Sequence, residues 1–516
     1  MDVWKYLEVL RKPNKSWLFS KDITKEKINA LAKIAEDGYP SLISYLTDFL
    51  KSNNKELRDA TCQTIIHLFN QISHKKAYYN ILKHCSFSKS DIDFYESIFS
   101  RELYIELLAI SSLNESGYIR EKAIKKLTQV ESPRAIPFLI YRLADWVIDV
   151  REFAIEGIKN YLNVAYIDDL IENLPLFEWL QKVERTDLSG IYHEIVEFIV
   201  ATNRNYILTN FKKYPDKIRL LLAKHLATSI QLHPKGLELF LTDTHSLVRK
   251  LVIEHFDKLE QTDIEQLLLD KSSNIRLQTL YCLKSSNNFD EIVTFFLADA
   301  SATIRNFSRF TLKHTAIDVA YIYSQNLIEE KQIVGSLSGL AEIEAKQYAA
   351  MVKQYLPSPK IKIKKTAFVA LCKLDEEGAY QFALSNIATP YIGLRQAVIA
   401  YLSNTPKPAV LEKARTIYQE GNYDLKKSML HLFHRVGGWV TIPDLMLATI
   451  DDDEKIRHLS FGYLQIWKMK IPRLFTTPKQ EEIEKAKQVF NFVFEAHERK
   501  QYFETNPVEG IDFYFT

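Results

Sequence analysis

Apolar side chains recur along this chain in blocks that return with a period near 30 residues, and inside each block they keep helical spacing. The clearest markers are apolar–basic dipeptides. They run Leu57-Arg58, Ile119-Arg120, Val150-Arg151, Ile218-Arg219, Val248-Arg249, Ile275-Arg276 and Ile304-Arg305, then Ile363-Lys364, Leu394-Arg395, Leu425-Lys426 and Ile456-Arg457. Successive basic residues lie 62, 31, 68, 30, 27, 29, 59, 31, 31 and 31 positions apart, which is one or two copies of the same period. Three residues after the basic position the side chain is often small, as at Thr61, Ala123, Ala154, Thr279, Ser308, Ala367 and Ser460. Seven after it every copy is apolar, from Ile65 and Leu127 to Phe433 and Leu464. The positions one before, three after and seven after share one helical face, so each marker opens a half-buried helix.

Six residues before the basic position stand Asn114, Asp145, Asp243, Asp270, Asp299 and Asp451, with Ser52, Ser358 and Thr389 in weaker copies. Short oxygen-bearing side chains suit a turn or cap, where they accept an otherwise unpaired backbone N–H. Each unit therefore predicts a helix A, a short turn, and a helix B that begins at the marker. One period has room for two helices of roughly 10–14 residues and their turns. A single pair cannot bury its apolar face, but stacked neighbours bury it jointly.

The Asp-x5-Arg pattern, with Val or Ile before the Arg and a small residue after it, resembles the HEAT-repeat family over about residues 45 to 470. The resemblance implies an all-α fold, a right-handed α-α superhelix or armadillo-type solenoid of about 13–14 helix pairs. Residues 1–44 are then N-terminal capping helices, 45–470 the repeat array, and 471–516 a C-terminal capping helix with an apolar tail, all in one continuous domain. Two gaps in the markers are expected to hold divergent pairs near residues 89 and 333. A degenerate copy centres on Tyr192, which keeps Thr186, Ile191, Ile195 and Ile199 in register and lacks the Arg.

The ends differ from the middle, as solenoid caps do. Trp4, Tyr6, Leu7, Leu10, Trp17, Leu18 and Phe19 are expected to cover the first pair. After Pro472, Ile483, Ala486, Val489, Phe490 and Val493 mark a capping helix. The terminal Phe513, Tyr514 and Phe515 either pack back on the array or form a short docking motif.

Composition agrees with this architecture. Only 14 glycines and 16 prolines occur in 516 residues, too few for the tight turns of an all-β or Rossmann-type chain. Apolar residues at 47% and charged residues at 26% are those of a protein with a large core. The four cysteines, Cys62, Cys85, Cys282 and Cys372, have no paired spacing, which argues against a disulfide framework or a CxxC centre and for a reducing, cytoplasmic location. No run of 18 apolar residues is present, so no membrane insertion is expected, and Asp2 and Glu8 interrupt what could otherwise read as a secretory leader.

The candidate chemistry is sparse. The phosphate-cradling GxxxxGK[ST] and GxGxxG motifs and the GxSxG elbow are missing. His431 and His434 stand one helical turn apart without a third ligand in sequence, so no metal or other cofactor is expected. Among HEAT-like proteins, an iron hydroxylase carries several His-Glu dipeptides in equivalent repeats, whereas here only His193-Glu194 and His497-Glu498 occur. The repeated Arg and Asp are expected to serve the repeat itself, since few ligands share its translational symmetry.

Charge gives the remaining hint. Residues 200–440 hold 31 lysines and arginines against 23 carboxylates, while residues 1–199 hold 26 against 29 and residues 441–516 hold 10 against 13. In HEAT proteins the B helices generally line the concave face, so Lys250, Arg309, Lys362, Lys365 and Lys427, all near B-helix starts, are candidates for a basic inner strip. The expected function is a non-enzymatic scaffold that binds another protein, or an acidic or amphipathic peptide, along that surface. The alternatives are a nucleic-acid-binding module resembling the HEAT-like DNA glycosylases and, more remotely, a lyase or hydroxylase on the same scaffold. Overall charge is nearly balanced, which favours a peptide over the extended phosphates of a duplex.

Overall fold

The computed structural model describes residues 3–13, 23–72, 81–82, 85–229, 234–404, 406–473 and 478–515. Every regular element among the described residues is helical. The chain divides into two compact units, Met1–Thr279 and Leu280–Thr516. Each is built from antiparallel helix pairs of the HEAT type.

The marker residue has one structural meaning. In all eleven copies the basic side chain is the fourth residue of its B helix, as in Gly117–Leu127, Ile148–Asn160 and Glu454–Lys470. The preceding turn fixes where that helix starts. Asp145, Asp243, Asp270, Asp299 and Asp451 each accept, through Oδ1, the backbone N–H two residues on, at 2.7–2.9 Å. Such Asx turns redirect the chain into the helix without help from glycine.

The guanidinium then locks the turn. Arg58, Arg120, Arg151, Arg249, Arg276, Arg305, Arg395 and Arg457 all donate to the carbonyl oxygen six residues earlier, at 2.6–3.0 Å. In several copies the other edge of the cation reaches the next turn. Arg120 holds Asp145, Arg219 holds Asp243, Arg249 holds Asp270, and Lys426 holds Asp451. The ladder thus ties the two ends of one turn together and tethers that turn to its neighbour. Arg305 departs from the rule, because its second edge meets Glu342.

Packing explains the remaining pattern. The small residues three positions on are completely buried at Thr61, Ala123, Ala154, Thr279, Ser308, Ala367 and Ser460, where adjacent helices cross. The apolar residues seven positions on are buried too, except Phe256 and Leu283, which are only half-buried. Those two positions stand in 3₁₀ turns, Val252–Lys258 and Leu283–Ser285, yet Leu312 in the turn Leu312–His314 is buried all the same, so winding alone does not expose them.

The divergent copies resolve into full B helices, Lys89–Ile98 and Ile333–Glu342. Their fourth residues are Ile92 and Ser336, both buried, so no cation marks them. In the degenerate copy Tyr192 replaces the Arg and donates its hydroxyl hydrogen to Glu178 at 2.9 Å.

At the ends, Leu7 and Leu10 are buried as expected, whereas Trp17, Leu18 and Phe19 lie outside the described residues. The C-terminal helix Gln480–Lys500 buries Ala486, Val493 and His497. Behind it the tail packs back on the array. Phe515 lies against Trp439 and Phe490, and Tyr514 meets Trp467 edge-on. Phe513 alone of the three stays largely exposed.

The ladder carboxylates make stability depend on pH in a definite direction. Burial by itself would raise the pKa of Asp145 and Asp270, yet the Arg120 and Arg249 bonds hold both below the ordinary carboxylate range. A depressed folded-state pKa contributes stability that is present above the unfolded value, about 3.9, and is lost as pH falls through the folded value. Thermal melts followed by circular dichroism should therefore decline in two stages as pH falls, gently below about 6.5, where His431, His434 and His497 resist protonation in the fold, and further below the unfolded Asp value. A melting temperature unchanged down to pH 3 would contradict the ladder's electrostatic role.

Candidate functional site

The solvent face of the B helices carries the candidate site. Because the positions one before, three after and seven after the marker point to the core, those two before, one after and five after point away. In the second unit these outward positions hold Lys362 and Lys365 on helix Ile361–Leu374, Gln396 on Ile392–Asn404, Lys427 and His431 on Tyr423–Val436, and Lys455 on Glu454–Lys470. A groove of about 500 Å³ runs between Ile392–Asn404 and Tyr423–Val436, with Tyr463 of the following B helix at one side. Its charged lining is Arg395, Lys427 and Arg435 against Asp424 alone.

These cations are not equivalent. Arg395 is committed to the ladder, bonding the Thr389 carbonyl at 2.8 Å and the Ser428 hydroxyl at 3.0 Å. Lys427 and Arg435 are exposed and have no carboxylate partner among the described residues. Lys427 and Lys455 flank the Tyr423 ring, each 5.9 Å from its centre. Lys365 places its ammonium group beside Gly393.

The two histidines meet one aromatic ring. His431 Nδ1 lies 3.1 Å from the Tyr463 hydroxyl, and the His434 ring stacks on Tyr463 at 4.0 Å. Partial burial lowers both imidazole pKa values, and nearby cations, Arg435 and Lys427 at His431 and Lys470 at His434, lower them further, which favours the neutral form of both rings. Among the described residues no three His, Cys, Asp or Glu side chains converge as metal ligands. Burial pushes the Cys62, Cys85 and Cys372 thiols up to about 12, which leaves them protonated and unreactive near neutrality.

The five cations singled out from sequence separate in the structure. Lys362, Lys365 and Lys427 lie on the B-helix face of the second unit, and Lys250 is exposed in the first. Arg309 stands apart from the other four. Its guanidinium pairs with Glu342 at 2.8 Å and donates to the Tyr323 hydroxyl at 3.0 Å, which turns it inward. A residue four after the marker borders the core face, so its charge found an internal partner. Sequence reasoning singled out none of Arg435, Lys455, Tyr423 and Tyr463, and only the packing of the next B helix brings Lys455 and Tyr463 to the helix of Lys427.

No family model and no curated protein matches this sequence. Several solved structures show a distant likeness. A Kap121p mutant is 11% identical at a TM-score of 0.36, covering 96% of this chain and 64% of that one. Importin beta in an ammonium sulfate condition is 10% identical at 0.34, covering 96% and 69%. Yeast importin-beta, Kap95p, is 11% identical at 0.33, covering 99% and 66%. The chain thus spans about two thirds of the length of these proteins. With TM-scores below 0.5, the HEAT-type form of the repeats stands on the turn and ladder geometry alone.

Proposed function

We propose that this chain is a non-enzymatic scaffold that holds an acidic or amphipathic segment of another protein along the B-helix face of its second unit. The observation that carries this reading is the groove between Ile392–Asn404 and Tyr423–Val436, where Lys427 and Arg435 are exposed and unneutralised. Lys362 and Lys365 extend the same sign of charge along a preceding B helix. Aromatic surface beside the cations, at Tyr423 and Tyr463, suits an amphipathic segment, since such rings bury large area at low entropic cost. In this reading the histidines stay neutral and shape the groove, no cofactor takes part, and the protein works in the cytoplasm, where its four unpaired cysteines remain reduced. Lys250 in the first unit belongs to the proposal as a separate contact.

The test is association with a synthetic acidic amphipathic helix, compared with its charge-reversed counterpart and with a DNA duplex. The acidic peptide should bind the full chain, with affinity falling as salt rises. The double reversal Lys362→Glu with Lys365→Glu should slow association about tenfold while leaving the melting temperature nearly unchanged. Unchanged association after the reversal would remove the proposal. Tighter binding of the duplex, with a steep salt dependence, would replace it by the nucleic-acid reading.

A further inference from the structure

A second cleft, in the first unit, has a different chemistry. It measures about 470 Å³ and opens at the turn that leads into helix Ile148–Asn160. Its floor is the Asp145 carboxylate, which is already saturated. Oδ1 accepts from Arg120 Nη2 and the Val147 N–H, and Oδ2 accepts from Arg120 Nε and Arg142 Nη1. Four bonds fill a carboxylate's acceptor sites. Two buried guanidinium groups therefore share one negative charge, and one cation is left over.

That surplus sits on Arg142. Its Nε is buried and has no hydrogen-bond partner. Burial lowers the Arg142 pKa, the Asp145 charge opposes that, and Arg120 adds to it. Arg120 cannot supply the missing bond, because it is itself a cation whose Nη1 is taken by the Asn114 and Glu115 carbonyls. Arg142 lines the cleft, and Asp145 is its one ion-pair partner among the described residues.

The mouth of the cleft adds aromatic surface and a further cation. Trp146 is 77% exposed, and the Arg185 guanidinium lies 4.8 Å from its ring centre, anchored by a bond to the Ala144 carbonyl. Behind it Tyr141 and Trp179 stack at 5.4 Å, with Arg142 over the Tyr141 ring at 4.8 Å. An indole this exposed beside two incompletely paired arginines has the composition of an interface anchor.

We propose that this cleft docks a partner-protein segment in which an Asp or Glu stands beside an aromatic residue: the carboxylate bonds Arg142 and Arg185, and the ring lies on Trp146. Charge selects this occupant over a phosphate-bearing one. The lining holds Arg120, Arg142 and Arg185 against Asp145 and the exposed Glu115, an excess that one carboxylate neutralises. A phosphate, at about −1.5 to −2, would exceed that surplus and meet Glu115. The site is independent of the groove in the second unit, so either can fail without the other.

Saturation-transfer NMR on the full chain tests the assignment, with the capped tetrapeptide acetyl-Gly-Glu-Phe-Gly-amide as probe. Its Gln-Phe and Glu-Ala analogues, inorganic phosphate and adenosine monophosphate are the comparisons. The expected result is transfer to the Phe ring that drops about fivefold or more for both analogues, and equally in Trp146→Ala and Arg185→Gln. Those two side chains are exposed, so both variants should keep the parent melting temperature, and they decide the matter if Arg142→Met does not fold. No transfer at millimolar peptide, equal transfer to the Gln analogue, an unaltered signal in Trp146→Ala, or displacement by adenosine monophosphate would each overturn the proposal.

Discussion

Asp145→Ala should destabilise the first unit by about 3–5 kcal/mol, the cost expected when one partner of a buried ion pair is removed. Asp145 has no exposed side-chain surface, and the two guanidinium groups that it joins are 9% and 13% exposed. Without the carboxylate, Arg120 and Arg142 face one another across a cavity and the Val147 N–H loses its acceptor. Asp270→Ala makes a sharper comparison than a surface control. Among the described ion pairs Asp270 holds Arg249, which keeps its bond to the Asp243 carbonyl, so a loss of about 1–2 kcal/mol is expected there. A repeat array need not unfold in one step, so urea denaturation should be accompanied by hydrogen exchange over helices Gly117–Leu127 and Ile148–Asn160. Equal losses for the two variants would show that the double pairing of Asp145 adds nothing.

Gly335→Ala should cost about 3 kcal/mol, the upper part of the range for overpacking. A Cβ at Gly335 would lie 1.7 Å from the Ala298 carbonyl oxygen and 2.4 Å from its carbon. Both are backbone atoms, so the clash is relieved only by moving helix Ile333–Glu342 as a whole. That movement is opposed one turn on, where Gly339 lies against the ring of the fully buried Tyr323. Gly462→Ala is the opposite case. Nothing lies within 4 Å of a Cβ there, the residue sits inside helix Glu454–Lys470, and a gain of up to about 1 kcal/mol is expected. Calorimetric melts of the two variants should move in opposite directions, and a neutral Gly335→Ala would mean that the helix contact is looser than its geometry.

The helix that carries Gly335 is also one of the gaps in the repeat pattern. Ile333–Glu342 presents Ser336, not a cation, at the marker position, and Arg305 and Arg309 both turn to Glu342 on its last turn. A reading keyed to apolar–basic dipeptides finds neither this copy nor the one at Ile92, because each replaced the marker with a buried neutral side chain. Phe256 and Leu283 show a related failure: their offsets are right, yet both stay only half-buried.

The sequence by itself determined what every repeat must share. Helical period, core face, Asx turn and the Arg that closes it act within about ten residues of one another, so they recur visibly and fix an all-α repeat architecture. Lys362, Lys365 and Lys427 were legible for the same reason, as cations close to the B-helix starts that the marker fixes. The tertiary structure alone decided what differs between repeats. Which carboxylate captures Arg309, which second guanidinium reaches Asp145, and how Arg435 and Tyr463 close on Lys427 all depend on distances between helices. Those distances follow from the small side chains at each crossing, and side-chain bonds and ion pairs form only within a few ångströms. A local periodicity is written in every copy, whereas a contact between unlike positions exists only once the copies are stacked.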